Sequence, residues 1–503
     1  MDGAMDNNMD SNLETAASPD NLKRFVIEPV SRVEGHGKVT LLVDDNNQVK
    51  QCRLHIVEFR GFERFIQGRP YWEIPILVQR LCGICPVSHH IAAGKAIDMI
   101  AGVTELTETA YKLRLLLHYG QTLQSHALHF FHLSSPDLLF GFESDIASRN
   151  IVGVIEKHPD LALQGVKLRK YGQEVIKVIC GKRIHGTGCI PGGMNKPLSR
   201  EDRHYLLGDI EQIIASSESA VKTARDCYLA NEPFHKKFAL LRSNYLSLVG
   251  KNGELDLYHG KLRLKDASGK ILFDQQDYCD YQDFIQEEVK SWSYMKFPFI
   301  KALGEEKGWY RTGPLARINN CDYIATPLAE IARQEFVAYG GKEPVHATLA
   351  YHWARMIEVL FSAEKIKELL NDAMITGNDL IVQGKRQNEG IGVIEAPRGT
   401  LFHHYQVGED DLITKANLIV ATTHNNTALN ESIRVVASEQ INGREISEAV
   451  LNNIEVAIRA YDPCLSCATH AMGKMPLKVE MRSLESGELI SQLIKNSDGT
   501  LYK

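Results

Sequence analysis

No stretch of this sequence approaches the roughly 18–20 apolar residues needed to cross a bilayer, so no membrane span is expected. There is no long basic run. With 57 Lys and Arg against 63 Asp and Glu the net charge is −6, so nucleic acid is not an expected partner. Neither a G-x-G-x-x-G stretch nor a P-loop occurs, which removes the usual nucleotide cradles. The N-terminus is acidic and has no Lys or Arg before Lys23, unlike a secretion signal. A cytoplasmic location is therefore expected. There thiols stay reduced, and paired cysteines serve as metal ligands or redox groups rather than disulfides. Cysteine is scarce, at 10 of 503 residues.

What is present is an ordinary globular composition, 44% hydrophobic and 24% charged. The length suits about two to four domain-sized units. Residues 1–22 read as a disordered acidic tail. "RFVIEPV" and "HGKVTLLVDDNNQVKQCRLHIVEF" read as strands, the second containing a hairpin turn at "DDNN". From Pro86 the pattern turns helical. "PVSHHIAAGKAIDMIAG" predicts one helix and "LTETAYKLRLLLHYGQTLQSHALHFFHL" a longer one. Further helices are expected near 155–180, 199–230 and 345–372. Between them, "NYLSLVGKNGELDLYHGKLRLKDASGKILFDQQ" alternates like a β-meander. The expected class is α+β: a mainly helical body with long central helices, flanked by N- and C-terminal β-hairpins, with an inserted meander.

Two CxxC pairs stand at opposite ends of this body, Cys82 and Cys85 in "RLCGICPVSHH", Cys464 and Cys467 in "DPCLSCATH". Four thiolates match tetrahedral zinc, another soft metal or an iron–sulfur cluster, and spacing alone does not choose among them. The neighbours Arg80, His89, Asp462 and His470 are more than a closed structural site needs. They suit an open, reactive metal.

Both segments resemble the signature motifs of the nickel–iron hydrogenase large subunit. So do "VSRVEGHGKV", "EFRGFERF", "EAPRGTL" and "LIVATTHNN", in the family's order. The wording of "VEFRGFERFIQGRPYWE", "WSYMKFPF" and "AYDPCLSCATHAMGKMPL" is most similar to the soluble NAD-reducing branch. The resemblance implies nickel held by Cys82, Cys85, Cys464 and Cys467. Cys85 and Cys467 would also bridge to an iron carrying cyanide and carbon monoxide. Dihydrogen would be split heterolytically, with the Cys464 thiolate as first proton acceptor and Glu34 of "RVEGH" as the next. Arg398 matches the arginine over the open metal position, with Asp137 and Asp462 as carboxylates beside it. Ala396 and Pro397 would wall the diatomic ligands, and Thr422 would hydrogen-bond a cyanide. Ala421 departs from a proline common in the family. His89 would donate to the Cys467 sulfur. Glu63, His470 and the Leu418 carbonyl would hold a magnesium or iron ion.

The same resemblance implies partners. This chain has no further cysteine set for a cluster, so electrons must leave through an iron–sulfur small subunit. Flavin- and cluster-bearing diaphorase subunits would carry them on to NAD. It also implies a maturation chaperone and a protease that cuts after His470. That divides the chain into the tail 1–22, a catalytic unit 23–470 and a cleavable extension 471–503. The competing reading is a non-catalytic relative, a hydrogen sensor or a zinc-holding structural protein. His126, His129 and His132 read as packed helix residues, and the other six cysteines as core or surface thiols.

Overall fold

The computed structural model describes residues 16–469 and, as backbone alone, 477–482, 489–495 and 501–502. Most of the expected acidic tail and His470 lie outside the described residues. Pro19–Asn21 make one 3-10 turn. Strands β1 (Lys23–Ile27), β2 (Gly37–Val43) and β3 (Val49–Ile56) form an antiparallel sheet in that order. Its central hairpin closes at "DDNN" as expected, and its inner residues Leu41 and Leu54 are fully buried.

The helical body begins with α1 (Pro86–Ile100), α2 (Glu108–Leu128), α3 (Pro159–Cys180) and α4 (Arg200–Leu229). Thr107 caps α2 by accepting from Ala110 N–H, and Ser199 caps α4 through Asp202 N–H, so the starts fall where short hydroxyl side chains stand. A π-helical turn, His129–Ser134, extends α2. The meander follows as β4 (Asn244–Val249), β5 (Lys261–Lys265) and β6 (Ile271–Gln276), joined by a short parallel strand, Tyr310–Arg311. Helices α5 (Pro314–Asn320) and α6 (Ala350–Asn371) return to the body, where α6 packs between α2 and α4.

A second antiparallel sheet, β7 (Glu389–Ala396), β8 (Gly399–Val407) and β9 (Ile413–Ile419), lies on α1. The contact is backbone to backbone. A Cβ on Gly390 or Gly392 would stand 2.0 Å or 2.1 Å from the carbonyls of Ala96 and Ala92. Helices α7 (Asn426–Ile441) and α8 (Glu448–Ala460) pack on one another, and α7 also packs on β3. The extension holds β10 (Leu477–Arg482), β11 (Leu489–Lys495) and β12 (Leu501–Tyr502) as a small antiparallel sheet.

The class is α+β, as expected. The main apolar core runs through α1, α2, α6 and the N-terminal sheet and encloses all four CxxC cysteines, while a second, smaller one joins Leu246 and Leu262 of the meander to Val393, Phe402 and Ile419 of β7–β9. Each large aliphatic side chain fully buried there contributes roughly 1.5–3 kcal/mol. Among the described residues no helix is long and apolar enough to cross a membrane.

Candidate metal centre

Cys82 follows the 3-10 turn Val78–Leu81 in extended conformation. Cys85 then occupies the N-cap of α1, with Pro86 at its first helical position. The N–H groups of Ile84 and Cys85 both donate to Cys82 Sγ at 3.2 Å. A helix start of this kind favours a thiolate.

The second pair follows α8. Asp462 turns the chain at φ 54°, a left-handed conformation that Asp adopts more readily than most residues. Cys464 N–H then donates to Thr422 Oγ1 at 2.9 Å. Cys464 bridges in parallel to Glu34, and Leu465 N–H donates to the Glu34 carbonyl at 2.9 Å. Gly35 makes this apposition possible. Its φ is +82°, and a Cβ there would lie 2.6 Å from Ser466 N.

These elements bring the four sulfurs within 4.8 Å of one another, all buried. Cys82 Sγ is 3.4 Å from Cys464 Sγ, and Cys85 Sγ is 3.7 Å from Cys467 Sγ. Among the described residues this is the one cluster of three or more His, Cys, Asp or Glu able to hold a metal. All ten cysteines are free thiols. Burial opposes ionisation of Cys82, but hydrogen bonding within the cluster outweighs it and holds Cys82 well below the ordinary thiol range. Bonds from Cys464 and Cys467 bring Cys85 down to about 6. Burial raises Cys464 and Cys467. Four convergent soft donors, two already favouring thiolate, fit a soft metal pair.

Glu34 Oε2 accepts from Cys464 Sγ at 3.0 Å and from Ser466 N–H at 3.1 Å. Arg398 lines a small cavity with Cys85, Cys464, Ala396, Pro397 and Thr422. Its Nη2 donates to Asp462 Oδ1 at 2.9 Å, its Nε to the Asp462 carbonyl at 2.6 Å, and its Nη1 to Ser125 Oγ at 3.3 Å. Burial raises Asp462 to about 6 against the pull of Arg398 and Arg355.

Two expectations change. Asp137 does not flank Arg398. Its carboxylate takes Arg32 at 2.6 Å and Arg459 at 2.6 Å. The residue presented to Arg398 is Ser125, on α2 itself, and Asp137 lies 12 residues further along the same helical run, roughly 18 Å on. His89 directs Nδ1 to His403 Nε2 at 3.1 Å, and this rather than Cys467 is its hydrogen-bond partner among the described residues. Thr422 Oγ1 holds the Cys464 backbone and keeps its own O–H to donate.

The hard-metal group is partly assembled. Glu63 Oε1 accepts from Leu418 N–H at 2.9 Å, which seats its carboxylate beside Leu418. Lys296 Nζ stands among Glu63 at 3.1 Å, Glu287 at 3.1 Å and Asn417 Oδ1 at 3.0 Å. Three hard oxygens around one cation are the donor set that magnesium also takes.

Sequence reasoning passed over Ser125, Arg355 and His403. Arg355 is buried beside Arg398 and Asp462, and its Nη2 donates to the Ala460 carbonyl at 3.0 Å. An arginine amid the apolar "WARMIEVLF" was the signal that could have found it.

The model of nickel-dependent hydrogenases matches residues 60–140 and 252–470, and one described as HoxL-like matches 24–59. The NAD-reducing hydrogenase HoxS subunit beta of Cupriavidus necator is 46% identical over 93% of this chain and 99% of its own. An F420-non-reducing hydrogenase of Methanococcus voltae, of the vhc type, has a chain 40% identical over 94% of this one and 100% of its own. A crystal structure of an NAD+-reducing [NiFe]-hydrogenase in the H2-reduced state superposes with TM-score 0.88 at 54% identity, over 91% of this chain and all of that one. With four buried thiols at its centre and these matches along its length, the chain belongs to the nickel-dependent hydrogenase family as the large subunit.

Proposed function

We propose that this hydrogenase oxidises dihydrogen reversibly in the cytoplasm and passes the electrons through partner subunits to NAD. The carrying observation is the contact of Cys464 Sγ with Glu34 Oε2 at 3.0 Å inside the buried four-thiol cluster. Cys82, Cys85, Cys464 and Cys467 would hold a nickel–iron pair whose iron carries cyanide and carbon monoxide. That pair, when bound, supplies the Lewis-acidic position at which dihydrogen is polarised and its electrons collected. Cys464 Sγ takes one proton and hands it to Glu34, which has only this short step to make. Arg398, held by Asp462, presents a fixed positive charge beside the reacting position and costs no reorganisation there. Ala396, Pro397 and Val420 keep water out of the cavity they line.

Glu63, Leu418 and His470 would serve a magnesium or iron ion, with Lys296 giving way. The chain would work with flavin-bearing diaphorase subunits and an iron–sulfur small subunit, once a chaperone and a protease have matured it.

The NAD assignment leans on the 46% identical relative and on the solved NAD+-reducing enzyme. Relatives named for not reducing F420 match almost as fully, so a different acceptor is the second reading. Purification with co-purifying subunits tests both. One nickel per large subunit with iron in excess of it from the partner clusters, infrared bands of cyanide and carbon monoxide, and hydrogen-dependent NAD reduction are expected. Hydrogen uptake with a dye but not with NAD would select the second reading, and zinc alone would refute both.

A further inference from the structure

We propose that Arg317 is a positioning residue for hydrogen activation, holding the turn that carries Arg398 over the four-thiol centre. This rests on the reading of Arg398 given above. Strands β7 and β8 pair up to Ala396 and Gly399, so Pro397 and Arg398 form a two-residue hairpin loop. The favoured loops of this length need positive φ at their first position. Pro397 cannot supply it, because its ring fixes φ near −65°. Arg398 is not among the residues with positive φ either, and the departure falls on Gly399 at φ +139°. A turn of disfavoured type needs support from outside the hairpin.

Arg317, on α5, gives that support. It is fully buried and uses all five of its N–H donors. Nη1 donates to the Ala396 carbonyl at 2.8 Å and Nη2 to the Pro397 carbonyl at 3.1 Å, the two carbonyls that lead into Arg398. The remaining donors fix the guanidinium itself. Nε and Nη2 grip Glu358 of α6 at 2.6 Å and 2.5 Å, and Nη1 meets Glu395 of β7 at 2.9 Å. Glu395 is tied in turn to Leu248 N–H on β4 and to the Thr400 hydroxyl on β8. The plane that orients the Arg398 turn is thus referenced to α6, β4 and both strands of its hairpin. A lysine has the charge but not the planar fork, so it cannot hold both carbonyls and both carboxylates. Displacements of about 1 Å in a positioned group cost on the order of a hundredfold in rate.

The test is a double-mutant cycle in the purified complex, read by nickel content, infrared bands and hydrogen uptake. Arg317→Lys is expected to keep its nickel and its cyanide and carbon monoxide bands yet lose at least tenfold in uptake. In an Arg398→Lys background it should cost less than twofold more. Arg317→Lys with full nickel and more than half of normal uptake overturns the proposal, as do losses that multiply. An inactive Arg398→Lys beside an active Arg317→Lys sinks the proposal alone. A fully active Arg398→Lys sinks the reading of Arg398 and the proposal together. If Arg317→Lys takes up no nickel, Arg317→Met combined with Glu358→Leu and Glu395→Gln removes all three buried charges and carries the same expectation. A triple variant that also takes up none assigns Arg317 to folding and overturns the proposal.

Discussion

Glu34 is held at the thiol cluster by two contacts of different kinds, from Cys464 Sγ and from Ser466 N–H, both on Oε2. A glutamine would keep an oxygen for these donors but cannot carry a proton. Glu34→Gln should therefore retain full nickel and lose about a hundredfold in turnover, within the usual range for losing a positioned acid or base. Exchange of hydrogen isotopes with solvent is the measurement; an undiminished exchange rate would remove Glu34 from the proton path. Glu34 and the four cysteines were legible although their partners lie about 400 residues away, because each stands in a motif whose residue types already suit metal binding or proton transfer. Asp137 was misjudged because the position that meets Arg398 is Ser125, 12 residues earlier on the helix, and a serine does not announce itself as an arginine's neighbour where a carboxylate is expected. Ser125 and Arg317 were missed for a related reason. Each acts across the core, on a hairpin tip more than 70 residues away.

At the scale of elements, punctuation decided what could be read. Pro86, Thr107 and Ser199 mark the starts of α1, α2 and α4, and the meander turns at its glycine-containing loops. The close seating of β7 on α1 was not readable, since the glycines that allow it, Gly390 and Gly392, look like any strand glycines until the helix is beside them. The extension bears on function most directly. Strands β10 and β11 pair from Leu477↔Lys495, where the apolar Leu477, Val479 and Met481 alternate with Lys478 and Glu480. An element that pairs with itself is a foldable unit rather than a loose linker. It begins just after the second cysteine loop, whose sulfurs are already gathered with the extension attached, so cutting it would serve to free His470 as the chain terminus rather than to close the cluster. The active large subunit should therefore end at His470, and intact-mass analysis reads this directly. An active subunit still ending at Lys503 would show that the sheet is a permanent part of the enzyme.

For the molecule as a whole, the price of a core that encloses its reaction centre is a set of histidines sealed in neutral form. His90 shows why. Its Nδ1 meets the Pro75 carbonyl at 2.6 Å, while its Nε2 accepts from Gly188 N–H and Cys189 N–H at 3.1 Å and 2.8 Å. A second proton on that ring would face two donors. His118 and His126 each have one nitrogen engaged and a buried Nδ1 with no partner, so a proton there would be orphaned. Burial brings His55, His90, His118 and His126 down to about 4. In the unfolded chain the same side chains titrate near 6.5. Between these values the unfolded state binds protons that the folded state refuses, so stability rises with pH and is lost as pH falls from about 6.5 towards 4. Each such histidine contributes at most about 1.4 kcal/mol per pH unit in that window. Asp462, raised to about 6, works in the opposite sense and offsets one of the four. The calorimetric unfolding midpoint should accordingly drop steadily from pH 7 to pH 4.5. His90→Gln, which keeps an acceptor for Gly188 and Cys189, should make that slope shallower. A midpoint that stays level across the window would mean that these rings accept protons inside the fold, against the donor pattern around His90.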